Sequence, residues 1–239
     1  MKRPTLLLTR PLAESERTAQ WLLQAGFNIC YAPCMSVIHR PPPTFMPMPQ
    51  AIILTSQQAV HGLASTMIPR ELPIYVVGEF TQQQVQALGY HHVNAQATSA
   101  IDLPAILHRY VTLPARLIYL RGHNIQHDLH SSLTALGYEM GSHVMYEAQA
   151  IDSLPADAID ALCHGDVSGI LFYSARTVTI FAMLLEKAAI AQSQWENIPA
   201  IVISDAVAQL AIKAGFTNIH PLSLQYPDAA LPALKTLFF

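Results

Sequence analysis

Short apolar runs alternate with longer amphipathic stretches along almost the whole chain. Leu6 to Thr9, Ile29 to Ala32, Ile52 to Leu54, Ile74 to Val77, Leu117 to Leu120, Ile170 to Phe172 and Ala200 to Ile203 are short and rich in leucine or β-branched residues. Runs of that kind read as strands buried on both faces. Between them the apolar positions return at helical spacing, which predicts helices over Ala13 to Gln24, Gln57 to Ala64, Thr81 to Leu88, Ile125 to Leu136, Ala175 to Lys187 and Ala206 to Ala214. Glycine stands just past several of their ends, as at Gly26, Gly89 and Gly215, where a helix commonly terminates. Strand and helix in alternation imply an α/β protein built on parallel, doubly wound sheets.

The rhythm repeats. Arg10 closes one apolar run and Gly26-Phe27 follows sixteen positions later; Arg121 closes another and Gly137-Tyr138 follows at the same distance. Leu54-Thr55-Ser56 with Ala59-Val60 is echoed by Phe172-Tyr173-Ser174 with Thr177-Val178. Val77-Gly78 leads to Gly89-Tyr90 over eleven residues, and Ile203-Ser204 leads to Gly215-Phe216 over the same step. Self-similarity of this length implies a duplicated α/β module. Two stretches break the rhythm at corresponding places. Pro33 to Pro49 is proline-rich and includes Pro41-Pro42-Pro43, which no helix or central strand accepts. Ser142 to Leu154 is extended at first and then acidic. Both read as crossings between two domains, or else as ordinary surface loops.

Composition narrows the class. The chain has 239 residues, enough for two domains of about 100 to 150 residues. Charged residues make up only 12% and hydrophobic ones 51%, in keeping with many doubly buried strands. No uninterrupted apolar run approaches the roughly 18 to 20 residues of a membrane span. Arg10 and Glu14 cut short the apolar stretch after Met1-Lys2-Arg3, against a signal peptide, so a cytoplasmic protein is expected. A net charge of −3 without a basic face disfavours nucleic acid. Three cysteines give no disulfide framework. Cys30 and Cys34 straddle Pro33 without a second pair and read as plain thiols, and no metal site is expected. Without a conspicuous apolar stripe beyond the expected core, a monomer is the default.

Thr55-Ser56, Gly78 to Thr81, Ser174 and Ser204-Asp205 all fall at strand-to-helix turns, the place where doubly wound sheets bind ligands. Free backbone N–H groups and a helix dipole there suit carboxylates or phosphates. Serine and threonine also cap helices that bind nothing. Arg10 and Arg121 stand at strand ends, and Arg176 lies close to Ser174; each guanidinium is a candidate bidentate partner for a carboxylate. His123, His127 and His130 share part of one predicted helix face but lack the glutamate of an H-E-x-x-H arrangement, which favours a polar helix surface over a metal site. Glycine-rich nucleotide loops and a G-x-S-x-G elbow are missing from the sequence. Cys163-His164, adjacent on a turn, is a poor nucleophile pair.

In order and spacing, Leu8-Thr9-Arg10-Pro11, Leu54-Thr55-Ser56 with Ala59-Val60, Val77-Gly78 with Thr81 and Gly89-Tyr90, Leu120-Arg121-Gly122, Val144 with Tyr146-Glu147, and Phe172-Tyr173-Ser174 resemble the uroporphyrinogen-III synthase family across nearly the whole chain. The resemblance implies a cofactor-free enzyme that converts the linear tetrapyrrole hydroxymethylbilane into uroporphyrinogen III. The terminal hydroxyl leaves as water, an azafulvenium-like cation forms, and a spiro intermediate inverts ring D as the macrocycle closes. It implies Tyr146 as the catalytic candidate, and Arg10, Thr55, Ser56, Gln57, Gly78, Thr81, Arg121, Gly122, Ser174, Arg176 and Ser204 as substrate-binding candidates. It also implies interleaved domains, 1–35 with 151–239 and 36–150, joined by a two-segment extended linker. Each domain then combines parts of both repeats. Ser204-Asp205-Ala206-Val207 departs from the glycine and paired threonines of many members, and the turn after Arg121-Gly122 lacks a further arginine. Two alternatives stand beside this expectation: a bilobed small-molecule binding protein, which a saturable sugar or amino-acid ligand would favour, and an inactive synthase-like protein.

Overall fold

The computed structural model describes residues 3–64, 68–125, 127–224 and 227–239. Met1 and Lys2 of the charged start, and Gln126 within an expected helix, lie outside the described residues. The chain runs β1 (Thr5–Leu8), α1 (Leu12–Gln24), β2 (Asn28–Tyr31) and β3 (Met35–His39). It continues through β4 (Ala51–Leu54), α2 (Gln57–Leu63), β5 (Ile74–Val77), α3 (Glu79–Ala87), β6 (Val93–Ala97), α4 (Leu103–Tyr110), β7 (Arg116–Gly122), α5 (Leu129–Ala135) and β8 (Glu139–Ala150). The last part is α6 (Ala156–Cys163), β9 (Gly169–Phe172), α7 (Ala175–Lys187), β10 (Ala200–Val202), α8 (Asp205–Ala214), β11 (Ile219–Pro221) and α9 (Pro227–Phe238). Residues 1–36 with 149–239 form one compact unit and residues 37–148 the other, so β3 and β8 carry the chain out of the first unit and back.

The first unit holds a five-stranded sheet in the order β11-β10-β9-β1-β2, with every neighbouring pair parallel. β1 is an interior strand: Leu6, Leu7 and Leu8 pair with Ile29, Cys30 and Tyr31 on one side and with Gly169, Ile170 and Leu171 on the other. The three leucines are essentially fully buried, and they alternate between two apolar layers. Leu7 packs with Ala158, Phe181 and Ala211 of α6, α7 and α8. Leu6 and Leu8 pack with Leu22 and Leu234 of α1 and α9. Each such leucine contributes about 1.5 to 3 kcal/mol of burial.

The second unit holds a six-stranded sheet ordered β3-β8-β7-β4-β5-β6, and its β8–β7, β7–β4, β4–β5 and β5–β6 pairs are parallel. It too has two apolar layers. Ile52, Leu54, Ile118 and Leu120 face α2 and α3 through Ala59, Leu63 and Val85. Ile53, Leu117 and Tyr119 face α4 and α5 through Leu103, Leu107, Leu129 and Leu133. Helices on both faces of a parallel sheet are why these strands read as unbroken apolar runs.

Pro33 to Pro49 contains a strand, β3, whose five residues Met35 to His39 include no proline; it lies at the sheet edge, next to β8, where the exclusion of a central strand leaves room for it. One expectation needs correction. The helix expected over Ile125 to Leu136 is confined to Leu129–Ala135. Asp128 starts it by accepting from the Ser131 N–H at 3.0 Å and from its hydroxyl at 2.6 Å. His123 and His127 therefore lie outside the helix, and only His130 of the three belongs to it.

Candidate functional site

In the second unit the chain builds β4, β5 and β6 outward in one direction and β7 and β8 in the other. The order reverses between β4 and β7, and ligands of doubly wound sheets bind beyond the carboxyl ends of the strands at such a switch point. A recess of about 420 Å³ lies there. Thr55 and Ser56 after β4, Val77 at the end of β5, Ser99 and Ala100 after β6, and Tyr119 and Gly122 of β7 form much of its wall. Asn124, Ile125 and His127 from the segment before α5, and Tyr146 of β8, complete it.

The placement of Tyr146 follows from a bulge. Arg121 of β7 pairs with Val144 of β8, but the next residue, Gly122, pairs with Tyr146, so Met145 is an extra residue. Simple alternation would put Met145 and Tyr146 on opposite faces. With the bulge, both join the layer that contains Ile118 and Leu120. Met145 fills that core at 1% exposure, and its terminal methyl abuts Gly62 of α2. Tyr146 remains half-buried, with its ring laid over Gly122: a Cβ there would come within 2.7 Å of Cζ and 2.8 Å of the phenol oxygen. The His123 N–H donates to the Tyr146 carbonyl at 2.9 Å and fixes the backbone beyond the bulge.

Across the wall, the Tyr119 hydroxyl and Thr55 Oγ1 are 2.7 Å apart. Burial pushes the Tyr119 phenol up from its ordinary value; the Thr55 hydrogen bond opposes this, Tyr146 adds to it, and Arg121 opposes it. Ser56 caps α2 by accepting from the Gln58 N–H at 3.3 Å. Ser99 is drawn to Asp102, whose Oδ2 accepts from the N–H and hydroxyl groups of both Thr98 and Ser99 at 2.8 to 3.1 Å. The Ser99 N–H is the largest influence holding that carboxyl below its ordinary range. Among the described residues lining the recess there is no lysine, arginine, aspartate or glutamate, so its polarity comes from hydroxyls, one amide, one imidazole and backbone groups.

Of the candidates in this unit, the recess gathers Thr55, Ser56, Gly122 and Tyr146. Gln57 instead lines a smaller hollow between α2 and α3, with His61 and Gln84. Gly78 precedes α3 with φ of +82°, a conformation that favours glycine, and no atom would lie within 4 Å of an added Cβ. Thr81 is 4% exposed and packs inward in the first turn of α3. Arg121 is occupied by its own surroundings: Nε donates to Ser142 Oγ at 2.8 Å, and Nη1 donates to the carbonyls of Gly122 and His123 at 2.9 and 3.1 Å. It thereby clamps the chain that enters the recess wall.

In the first unit the order reverses between β1 and β9. The buried Thr9 hydroxyl donates to the Leu171 carbonyl at 2.6 Å, joining the two strand ends. Arg10 follows, with its guanidinium carbon 4.4 Å from the centre of the Tyr173 ring. Burial raises the Tyr173 phenol, while Thr18 and Arg10 act in the opposite direction. Ser174 caps α7, accepting from the Thr177 N–H at 3.1 Å and lying 2.7 Å from its hydroxyl. Arg176 is exposed on the first turn of the same helix. Ser204 caps α8 through the Val207 N–H at 3.4 Å, with Asp205 exposed beside it. Cys30 and Cys34 are buried thiols and Cys163 an exposed one, and the described residues contain no cluster of three or more metal-ligating side chains.

Sequence reasoning did not place Tyr119, Ser99 or Asn124 at the recess, and it weighed His127 only with His123 and His130, as a polar helix surface or a metal site. Tyr119 had a signal: it is the polar-tipped residue in an otherwise aliphatic run, close to the end of its strand. The segment around Asn124 and His127 had none, because its apolar Ile125 and Leu129 mimic a helical face.

Two parallel-dominated sheets covered by helices define a two-domain α/β protein, and the second unit carries a hydroxyl-lined recess at its switch point. Residues 16–221 match the family model of uroporphyrinogen-III synthase HemD, and the chain belongs to the uroporphyrinogen-III synthase family. It is thus a cyclising lyase of porphyrin, and so of haem, biosynthesis. The crystal structure of uroporphyrinogen-III synthetase from Helicobacter pylori is similar over 99% of this chain and 100% of its own, with a TM-score of 0.65 at 16% identity. That of a mutant uroporphyrinogen III synthase from the extremely thermophilic bacterium Thermus thermophilus is similar over 98% of each chain, with a TM-score of 0.51 at 14% identity. At such identities these likenesses establish the fold. No curated protein matches the chain, and nothing found favours a bilobed solute-binding protein. No helix among the described residues is long and apolar enough to cross a membrane.

Proposed function

We propose that the recess of the second unit holds the reacting end of hydroxymethylbilane, and that Tyr146 donates the proton with which its terminal hydroxyl departs as water. The observation that carries this is the bulge at Met145, which aims a half-buried phenol over Gly122 into a recess at the switch point. A phenol with an ordinary pKa near 10 is protonated at neutral pH and can act as general acid. The pyrrole nitrogen's electrons expel the hydroxyl, leaving an azafulvenium-like cation. Ring closure through the spiro intermediate inverts ring D, and the proton shed as the last pyrrole regains aromaticity returns to the phenolate. Proton and water then balance without a further reactant.

The rest of the site positions and shields. Thr55 and Ser56 offer hydroxyl donors to the substrate's carboxylates, and the Gln57 and Gly78 turns with the first turn of α3 at Thr81 offer backbone N–H donors. Arg121 and Gly122 hold the wall over which Tyr146 lies. In the first unit, taken by itself, Arg10, Ser174, Arg176 and Ser204 form a set at the strand ends in which Arg10 and Arg176 offer cations to carboxylates. No cofactor enters this chemistry, and we assign the enzyme to the cytoplasm as a monomer, which sedimentation of the purified chain tests.

Tyr146→Phe keeps the ring and removes the proton. We expect kcat to fall by about 10²-fold, the lower part of the range for general acid catalysis, with KM little changed. The assay supplies fresh hydroxymethylbilane and resolves the product isomers after oxidation. Type I isomer alone from the wild-type protein would remove the synthase assignment; an unchanged rate in the variant would remove only the donor role.

A further inference from the structure

The Tyr119–Thr55 pair is unused by the proton transfer assigned to Tyr146, yet both of its members line the same recess. Tyr119 is 4% exposed and Thr55 half-buried, and their oxygens are 2.7 Å apart. Which way that hydrogen bond runs is decided by acidity. A phenol titrates near 10, far below an aliphatic alcohol, so the phenol is the better donor and the threonine oxygen the better acceptor. Burial, the largest influence on this phenol, favours its neutral form over the opposing pull of the Thr55 contact, so the phenol keeps a proton to donate. When the Tyr119 hydroxyl donates to Thr55 Oγ1, the threonine's own proton is left to point elsewhere. The open side of Thr55 is the recess. Register supports the geometry: β4 and β7 pair Ile53 with Tyr119 and Leu54 with Leu120, so Tyr119 starts two residues back from Thr55 and its long ring reaches forward to the strand end.

We infer that Tyr119 is a positioning residue: it donates to Thr55 and thereby fixes the Thr55 hydroxyl as a donor to one carboxylate of the bound tetrapyrrole. This rests on the function proposed above. An acceptor-only ligand group is the one such a donor selects, and the lining residues supply no carboxylate of their own to compete for it. Hydrogen bonds in a chain polarise one another, so the phenol also strengthens the donor it orients. Since the contact is to a carboxylate whose charge is the same before and after the hydroxyl departs, it acts about equally in ground and transition states and appears in KM rather than in kcat.

The test is a cycle of Tyr119→Phe, Thr55→Val and the double variant, with Thr55→Ser as the conservative control, each checked for an unchanged melting profile. Tyr119→Phe and Thr55→Val should each raise KM about tenfold with kcat within about twofold. The double variant should be no worse than Thr55→Val alone, and Thr55→Ser should keep a near-normal KM only while Tyr119 is present. Multiplying effects in the double variant, an unchanged KM in Tyr119→Phe, or a loss confined to kcat would each overturn the assignment. Wild-type protein that makes no type III product would instead overturn the function on which it rests, so the two failures are distinct.

Discussion

Gly122→Ala is a direct probe of how the bulge places the phenol. Gly122 does not have the positive φ that would make any side chain strained, so the substitution adds a methyl group and little else. That methyl would stand 2.7 Å from Cζ, 2.8 Å from the hydroxyl oxygen and 3.1 Å from Cε2 of Tyr146. Comfortable non-bonded contacts lie at about 3.5 to 4.0 Å, so the ring has to recede by about 1 Å. Overpacking of this kind costs about 1 to 3 kcal/mol, and the lower end applies because the recess gives the ring somewhere to go. Misplacing a reacting group by about 1 Å costs about 10²-fold in rate. We therefore expect Gly122→Ala to fold with a melting temperature a few degrees lower and to lose about 10²-fold in kcat. The assay is turnover of hydroxymethylbilane with isomers resolved, beside thermal unfolding followed by circular dichroism. Adding Tyr146→Phe to Gly122→Ala should then cost little more, because both act through one phenol. Wild-type turnover in a folded Gly122→Ala protein would refute the reasoning, as would losses that multiply in the double variant.

Ser174→Ala removes the oxygen that accepts from the Thr177 N–H at the start of α7, and it should lower stability by about 1 kcal/mol in urea titration. Cys34 supplies a pH-dependent contribution. Burial pushes its thiol from 9.0 up to about 12, so below pH 9 both folded and unfolded chains hold the proton and its stabilising contribution is complete. Between pH 9 and 12 the unfolded chain binds fewer protons, and stability falls by up to about 1.4 kcal/mol per pH unit. Urea unfolding from about pH 8 to about pH 10.5 should thus show a steeper loss for the wild type than for Cys34→Ala. In the native protein a thiol reagent should modify exposed Cys163 and spare Cys34.

The alternation of elements was legible because doubly buried strands leave a strong mark. Ala51 to Leu54 are all fully buried, and no polar residue interrupts them. Ala175–Lys187 was legible to the residue, since Ser174 caps it and its apolar stripe is long. Short or polar elements left no such mark. β6, Val93–Ala97, carries Asn94 and Gln96 at the sheet edge, and β11 has His220 and Pro221 among its three residues. α9 was hidden by Pro232 within it, though Ala230 and Leu234, four apart, mark its buried face. The site was half legible. Thr55 and Ser56 announce themselves as turn residues after a strand. Tyr146 is in the recess only because Met145 is an extra residue, and a bulge cannot be read from either strand alone.

The two sheets repeat one spatial order, β2-β1-β9-β10-β11 and β8-β7-β4-β5-β6, yet the strands of the first come from both ends of the chain and those of the second from its middle. During synthesis this has an unequal effect. The unit of residues 37–148 is a single continuous stretch and has all its strands once Ala148 has left the ribosome. β1 and β2 are made before that unit but lack β9, the other neighbour of β1, until Phe172 appears. At about 5 to 20 residues per second, that delay is about 10 to 30 s. For that time Leu6, Leu7 and Leu8 stand on an unfinished edge, the surface that chaperones recognise and that aggregation exploits. Strands made before the second unit thus wait for a strand made after it.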